Sequence, residues 1–198
     1  SLAGYLVNGW DNVVDNNSAK SVGFSGNFKP VGKVGLVTNF MWGKENPNTN
    51  YGRQMYEGIL TFPLTEKFSL MADYNYGRDK GEDILPGVSG PQVFWQGIAG
   101  YGKWSPGGKM TLSGRYEWFD DHQGYRTGTA QELQSATATV TVPIVTDLNF
   151  WGEYRKDWSN QSSFPKATDG VFGPVQGFDD HQQTFLVGIT YTFSKTVK

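Results

Sequence analysis

A period-two alternation of apolar and polar residues runs through most of this sequence. From Ala136 to Ile144 every second position is apolar, and threonines lie at most of the positions between them. The segments that start at Phe68, Met110 and Phe185 alternate in the same way. Since successive side chains of a strand point to opposite faces, this pattern predicts β-strands with one apolar and one polar face.

The alternating segments are long. Most have about ten residues or a little more, whereas strands of soluble proteins usually have about 5–6. A tilted strand that crosses a membrane needs about 9–11 residues, so the length favours membrane-spanning strands. The predicted strands are residues 2–9, 21–29, 34–43, 53–64, 68–78, 92–104, 110–119, 132–144, 148–158 and 182–194.

Short and long connections alternate between these segments. The short ones are residues 30–33, 65–67, 106–109 and 145–147, and the long ones are residues 10–20, 44–52, 79–91, 120–131 and 159–181. Outer-membrane barrels have short turns on the periplasmic side and longer loops outside. The sequence therefore predicts an all-β fold, a transmembrane antiparallel up-and-down β-barrel of about ten strands, with residues 1–198 as a single domain.

The composition of the two faces separates this prediction from a soluble β-sandwich or a lipocalin-like barrel. A soluble barrel would carry charges on its outer face, whereas here the non-apolar face carries mainly Gly, Ser, Thr and Asn with a few charges of both signs. Trp and Tyr prefer the boundary between membrane and water. Aromatic residues lie near the loop end of the apolar face at Tyr76, Trp118 and Tyr154, and near the turn end at Phe28, Phe68, Phe150 and Phe193.

Charge and composition exclude several classes of protein. The net charge is −2 and there is no basic run, so nucleic acid is not an expected partner. There is no cysteine, which excludes a disulfide framework and any thiolate site. No run approaches the roughly 18 apolar residues that a transmembrane helix needs. The sequence starts at Ser1 without a signal-peptide pattern, so we expect a removed signal or a longer parent chain.

The apolar face of each strand must face lipid, so the alternate residues face the lumen. An Arg or Lys that faced lipid at mid-depth would cost about 2–4 kcal/mol, which assigns Arg115 and Arg155 to the lumen. A polar lumen holds water and allows small hydrophilic solutes or ions to pass. The predicted pore-lining residues are Asn39, Glu57, Asp73, Asn75, Arg115, Glu117, Glu153 and Arg155.

Two other functions stay open at this point. About eight strands are just filled by side chains, and open channels are typical at 16–18, so about ten strands also fit a closed structural or adhesive barrel that binds partners through its long loops. The third alternative is a hydrolase at the rim. The strings Asp120–Gln123 and Asp179–Gln182 each place a histidine after two aspartates, and such pairs can activate water. We interpret both strings as solvated rim residues.

Neither a cofactor nor a metal is expected. Asp11, Asp15, Asn16 and Asn17 offer the oxygen ligands that Ca²⁺ prefers, but their spacing matches no known calcium motif. Trp95 and Trp151 are candidates for a surface on which sugars could stack, and we interpret both as membrane-boundary aromatics. The sequence leaves the oligomeric state open.

Five runs of the sequence are characteristic: residues 6–17 (LVNGWDNVVDNN), 97–101 (GIAGY), 115–121 (RYEWFDD), 153–159 (EYRKDWS) and 184–193 (TFLVGITYTF). These runs resemble the OmpL-like β-barrel porin family of bacterial outer membranes. The resemblance implies an outer-membrane diffusion channel. Members of that family are usually longer, and the first strand here resembles one from their middle. We therefore expect either the C-terminal portion of a larger barrel or a smaller relative.

Overall fold

The structure, a computed structural model, describes residues 1–46, 51–80, 90–167 and 175–193. This part of the chain forms strands, and no helix in it is long and apolar enough to cross a membrane. The strands are β1 (Leu2–Val7), β2 (Ser21–Phe28), β3 (Gly35–Gly43), β4 (Arg53–Pro63), β5 (Phe68–Lys80), β6 (Gln92–Trp104), β7 (Thr111–Asp121), β8 (Gln131–Val145), β9 (Leu148–Ser159), β10 (Phe164–Ala167), β11 (Val175–Asp179) and β12 (His181–Tyr191).

Ten of these strands form one sheet in the order β1-β2-β3-β4-β5-β6-β7-β8-β9-β12. Neighbours in that order are also neighbours along the chain, apart from the step from β9 to β12, and the registers of β1–β2, β2–β3, β3–β4, β8–β9 and β9–β12 are antiparallel. Each predicted strand corresponds to one of the ten, with bounds that agree within three residues. Residue 194, the predicted end of the last strand, lies outside the described residues.

The long connection 159–181, which was predicted as a loop, contains two additional short strands. β10 and β11 pair with each other in a separate two-stranded sheet, in which Phe164 lies opposite Asp179. The register shifts between Pro165 and Ala167. Because the hairpin is short and irregular, it has no period-two pattern by which the sequence could reveal it.

Special backbone conformations close the short turns. Gly32 and Gly108 have φ values of 53° and 61°, in the left-handed region that glycine enters without a steric penalty. Asp147 has φ 66° between β8 and β9, where Val145 pairs with Leu148. Aspartate tolerates this region better than most residues, which explains how the tight turn forms without glycine.

The described chain divides into two compact units. The first unit comprises Ser1–Phe62, Ala72–Ile98 and Phe119–Glu132, and the second comprises Pro63–Met71, Ala99–Trp118 and Leu133–Lys198. Each unit contains its own network of polar side chains.

Burial of side chains is reversed relative to a soluble protein. Among the described residues, Val93 and Trp95 are the buried hydrophobic side chains, whereas eight polar or charged residues are buried. On β8 the apolar positions from Ala136 to Ile144 are exposed, and the threonines between them are half-buried. Exposed apolar residues and covered polar ones are the distribution expected when lipid replaces water outside the sheet.

Candidate functional site

In the second unit, the polar faces of β7, β8 and β9 carry a network centred on Glu117. Its carboxylate pairs with the guanidinium of Arg115, two residues along the same strand. Glu117 Oε1 also lies 3.3 Å from Nη2 of Arg155 and accepts a hydrogen bond of 2.7 Å from Ser135 Oγ. One carboxylate thus joins three neighbouring strands.

The network continues along β9. Arg155 Nε donates to Asp157 Oδ1 at 2.6 Å, and Asp157 Oδ2 accepts from Gln182 Nε2 of β12 at 2.9 Å. Glu153 lies two residues further toward the turn, and its Oε2 accepts a hydrogen bond of 2.7 Å from Thr139 Oγ1. Guanidinium and carboxylate groups therefore alternate along one face, and hydroxyl and amide groups fill the positions between them.

Two polar atoms of this face have no hydrogen-bond partner among the described residues. They are Nε of Arg115 and Oγ1 of Thr137, both covered. Thr137 lies opposite Arg155 in the β8–β9 register. A covered donor or acceptor normally has a partner, so these two atoms are exceptions on this face.

In the first unit, the predicted polar residues form two local pairs. Asn39 Nδ2 donates to Glu57 Oε2 at 2.5 Å between β3 and β4, where the two residues lie opposite each other. Asn75 Nδ2 donates to Asp73 Oδ1 at 2.9 Å along β5. All eight predicted pore-lining residues are half-buried strand residues.

Above these pairs, five side chains form a cluster that we name the loop clasp: Asp11, Arg53, Asp79, Tyr125 and Arg126. Arg53 starts β4, and its guanidinium pairs with Asp11 and, at 2.7 Å, with Asp79 Oδ2. Arg126 binds the same Asp11 carboxylate through two contacts of 2.6 and 3.0 Å. The clasp thereby joins the loop after β1, the start of β4, the end of β5 and the loop after β7.

Tyr125 completes the loop clasp. Its hydroxyl donates to Asp79 Oδ2 at 2.8 Å and accepts from Arg53 Nη2 and Asn46 Nδ2, both at 2.8 Å. Burial raises the pKa of the Tyr125 phenol, so the hydroxyl keeps its proton and can donate. The ring stacks on Trp95 at 5.7 Å between centroids, and the Arg126 guanidinium lies 5.1 Å from the Trp95 ring.

The charge of Asp11 depends on this environment. Partial burial alone would raise the pKa of its carboxyl group, but the hydrogen bonds and positive charges of Arg126 and Arg53 outweigh burial and lower it. A carboxyl group whose pKa is lower in the folded state than in the unfolded state stabilises the fold at pH values above the unfolded-state pKa. That contribution is lost as the pH falls through the folded pKa.

We therefore expect Asp11→Asn to cost about 1–2 kcal/mol of unfolding free energy at pH 7, and clearly less at pH 3 and below. The measurement is urea unfolding in lipid vesicles at several pH values. Asp15→Asn is the matched control, because Asp15 is exposed in the same loop and, among the described residues, accepts only from the backbone N–H of Asn17. A cost for Asp11→Asn that does not change with pH would contradict the assigned pKa.

Two buried carboxylates hold the loops beside the clasp. Glu45 is 2% exposed and accepts from the backbone N–H groups of Trp10 and Asp11 and from Ser21 Oγ. These contacts explain why β1 ends before the predicted residue 9. Asp121 is fully buried and accepts from four donors of residues 125–127. Asp121 therefore holds its loop in place and does not lie free at the rim.

The sequence did not single out Glu45, Arg53, Asp79, Tyr125 or Arg126. One signal was available: Arg53 and Asp79 share the odd-numbered strand positions of Glu57 and Asp73, at the loop ends of β4 and β5. No local pattern identifies their partners, because the hydrogen bonds of the clasp join residues up to 115 positions apart.

The two histidines lie at strand ends beside aspartates. His122 Nδ1 is 3.5 Å from Asp120 Oδ1, and its ring contacts Phe94 edge-on at 4.4 Å. His181 Nδ1 is 2.7 Å from Asp180 Oδ1 and 3.4 Å from Asp179 Oδ1. The side chains of both histidines are almost half exposed, at 45% and 47%. This agrees with solvated rim residues.

In the loop of residues 10–20, the polar groups considered as calcium ligands contact other protein groups. The carboxylate of Asp11 faces two guanidinium groups, while Asn16 and Asn17 donate their amide N–H groups to the carbonyl oxygens of Glu45 and Lys44. These contacts count against calcium there. Elsewhere, ligand atoms of Asp179, Asp180 and His181 lie within 4.8 Å of one another, but Lys166 Nζ lies 3.2 Å from Asp179.

Neither tryptophan that was interpreted as a boundary aromatic lies on the apolar face. Trp95 is 6% exposed and packs over Gly77, where an added Cβ would come within 2.0 Å of the indole. Trp151 shares the face of Glu153 by its strand position and covers Gly188, where a Cβ would come within 2.4 Å. Both glycines are needed because the large rings occupy the space of a neighbouring side chain.

The apolar face of the first unit carries a continuous row of rings at the loop end. Centroid distances are 4.8 Å from Phe40 to Tyr56, 6.5 Å from Tyr56 to Tyr76, and 6.3 Å from Tyr76 to Phe94. His122 extends the row beyond Phe94. Such a band matches the aromatic girdle at the boundary of an outer-membrane barrel.

Comparison with known proteins agrees with the geometry. The family model described as "Putative beta-barrel porin-2, OmpL-like" matches residues 1–193. A solved structure of NanC porin in a rhombohedral crystal form is similar at a TM-score of 0.55 with 13% identity, over 97% of this chain and 98% of that chain. At this identity the likeness supports the fold alone.

No curated protein matches the chain significantly. The match to the family model covers nearly the whole chain and confirms the predicted fold, an antiparallel transmembrane β-barrel. The chain belongs to the OmpL-like family of β-barrel porins and is a bacterial outer-membrane channel through which small solutes pass.

Proposed function

We propose that the polar strand faces of this porin line a water-filled channel for small hydrophilic solutes or ions. The observation that carries this proposal is the reversed burial, with exposed apolar side chains alternating with covered polar ones. The proposed lining residues are Asn39, Glu57, Asp73, Asn75, Arg115, Glu117, Glu153 and Arg155. We also propose that residues 1–198 act as one barrel domain.

The charges of the proposed lining favour cations. The lining has four carboxylates and two guanidinium groups. Arg115 and Arg155 are both paired with Glu117, and Arg155 is also paired with Asp157, whereas Glu153 accepts from a neutral hydroxyl group. The excess of carboxylates therefore supports weak cation preference.

We propose that the channel has no enzymatic activity. Each histidine forms its ion pairs with aspartates no more than two positions away, on an exposed strand end. Hydrolysis would need a nucleophile or an activated water held against a substrate site. Activity on peptides or lipids that disappears in both His122→Ala and His181→Ala would contradict this proposal.

Single-channel conductance of the folded chain in a planar bilayer tests the channel proposal, with a heat-shift gel to verify folding. We expect stable conductance steps with weak cation preference. Steps much larger than a barrel of about ten strands allows would contradict the single-domain proposal. Folded protein without conductance would contradict the channel and favour the closed structural barrel.

Selectivity tests the lining residues individually. A unit charge about 7 Å from an ion in water changes its energy by about 0.6 kcal/mol, or the local ion concentration about threefold. We expect Glu153→Ala to lower the cation-to-anion permeability ratio about twofold to threefold. Glu117→Ala should lower it further, because it also leaves two guanidinium groups without this shared counter-ion.

Reversal potentials across a salt gradient measure both effects. Glu132→Ala is the matched control, because Glu132 is exposed on β8 and its position alternates with the polar face. We expect its reversal potential to equal that of the unaltered protein. If neither Glu117→Ala nor Glu153→Ala moves the reversal potential, these residues do not line the channel.

A further inference from the structure

The apolar face of the second unit contains a groove at its loop end. The groove has a volume of about 590 Å³ and lies over β8, β9 and the start of β12. Its lining includes Ala136 and Ala138 of β8 and Tyr154, Lys156 and Trp158 of β9. The pore proposal uses none of these side chains, because they lie on the opposite face of the strands.

Small side chains between large ones form the groove. Ala136 lies opposite Lys156, and Ala138 lies opposite Tyr154. At the loop end of the alanines, the Tyr116 ring of β7 lies 6.2 Å from the ring of Trp158, which is opposite Gln134. The two methyl side chains thus form an apolar floor beside the rings of Tyr154 and Trp158, which leaves room for a linear acyl chain.

Hydrogen-bonded tyrosines mark where this face changes from apolar to polar. Tyr116 donates to Gln134 at 2.6 Å, and Tyr154 donates to Gln183 at 2.9 Å. Toward the turns, the same face of β8 continues with Val140 and other exposed apolar residues. A tyrosine whose ring is in apolar surroundings and whose hydroxyl is in polar ones is typical of the membrane–water boundary.

Lys156 lies at this boundary, one outward position beyond Tyr154. It is exposed, and its ammonium group has no hydrogen-bond or ion-pair partner within the described ranges. Asp180, which also lines the groove, is engaged by His181 at 2.7 Å. Lys156 therefore supplies a positive charge without an ion-pair partner among the described residues, in a groove that also contains the Asp180 carboxylate.

We propose that the groove binds one anionic, phosphate-bearing lipid, with the phosphate on Lys156 beside Ala136 and an acyl chain that runs over Ala138 toward the turns. Apolar contact and charge complementarity act together at this site, and neither depends on the channel. The proposal requires only that the chain lies in a membrane. A wrong assignment of the pore lining would therefore leave it intact.

Native mass spectrometry of the full folded chain in detergent, titrated with phosphatidylglycerol, tests the site. We expect one retained lipid, and about fivefold weaker binding for Lys156→Gln, which follows from about 1 kcal/mol per basic residue near anionic lipid. Ala138→Phe should also weaken binding, because the new ring would fill the floor of the groove. Phosphatidylcholine should bind more weakly than phosphatidylglycerol.

Arg78→Gln is the matched control. Arg78 is an exposed cation of β5 that hydrogen-bonds Gln54 at 3.0 Å and lies outside this groove. We expect it to retain phosphatidylglycerol like the unaltered protein, with a heat-shift gel showing that every variant is folded. Equal losses in Lys156→Gln and Arg78→Gln, or no loss in Lys156→Gln and Ala138→Phe, would overturn the proposal.

Discussion

Replacing Arg53 with methionine is expected to lower the free energy of unfolding by about 3–5 kcal/mol, because it leaves a buried carboxylate without its counter-ion. The side chains of Arg53 and Asp79 are 6% and 1% exposed, and they pair at 2.7 Å. Tyr125 would still donate to Asp79, but a neutral donor does not compensate the charge. Urea unfolding of the protein folded into lipid vesicles measures the loss.

Two further variants separate charge compensation from packing. Arg78→Met removes an exposed arginine that donates to Gln54, and we expect it to cost about 1 kcal/mol or less. The double variant Arg53→Met/Asp79→Leu should recover much of the loss, since an apolar pair often replaces a buried ion pair without cost. No recovery in the double variant would show that the loss in Arg53→Met comes from packing.

The second large effect concerns the apolar face. Val140 is 42% exposed and is the third of five exposed apolar positions between Ala136 and Ile144 on β8. Its side chain therefore lies near the middle of the lipid-facing stretch. We expect Val140→Arg to cost about 2–4 kcal/mol of unfolding free energy in vesicles.

Thr141→Arg is the matched control, one residue further along the same strand. Thr141 is half-buried on the polar face, opposite Trp151 in the β8–β9 register. Because an arginine there would point away from lipid, we expect a cost of about 1 kcal/mol or less. Equal costs for Val140→Arg and Thr141→Arg would contradict the assignment of the two faces.

The expected costs of Arg53→Met and Val140→Arg rest on two different kinds of information. The face of Val140 follows from its place in a period-two pattern, which is visible without any structure. The pairing of Arg53 with Asp79 follows from the positions of two strands whose residues are 26 positions apart. The first could be predicted and the second could not.

The strands could be predicted because a membrane acts on each residue individually. Lipid on one face and polar surroundings on the other require alternation along every spanning strand, so all ten strands of the large sheet were located within three residues. The hairpin of β10 and β11 was missed, because the alternation demanded by lipid is absent from it.

The sequence by itself therefore determined the family, the ten strands of the large sheet and the alternation of their side chains, since each depends on residue type and spacing along the chain. The tertiary structure decided which polar groups meet. In the folded chain, Asp11 pairs with Arg53 and Arg126, Asp121 is buried, and Ala136 lies opposite Lys156. The physical reason is that these contacts depend on strand register and loop closure, which bring distant residues together.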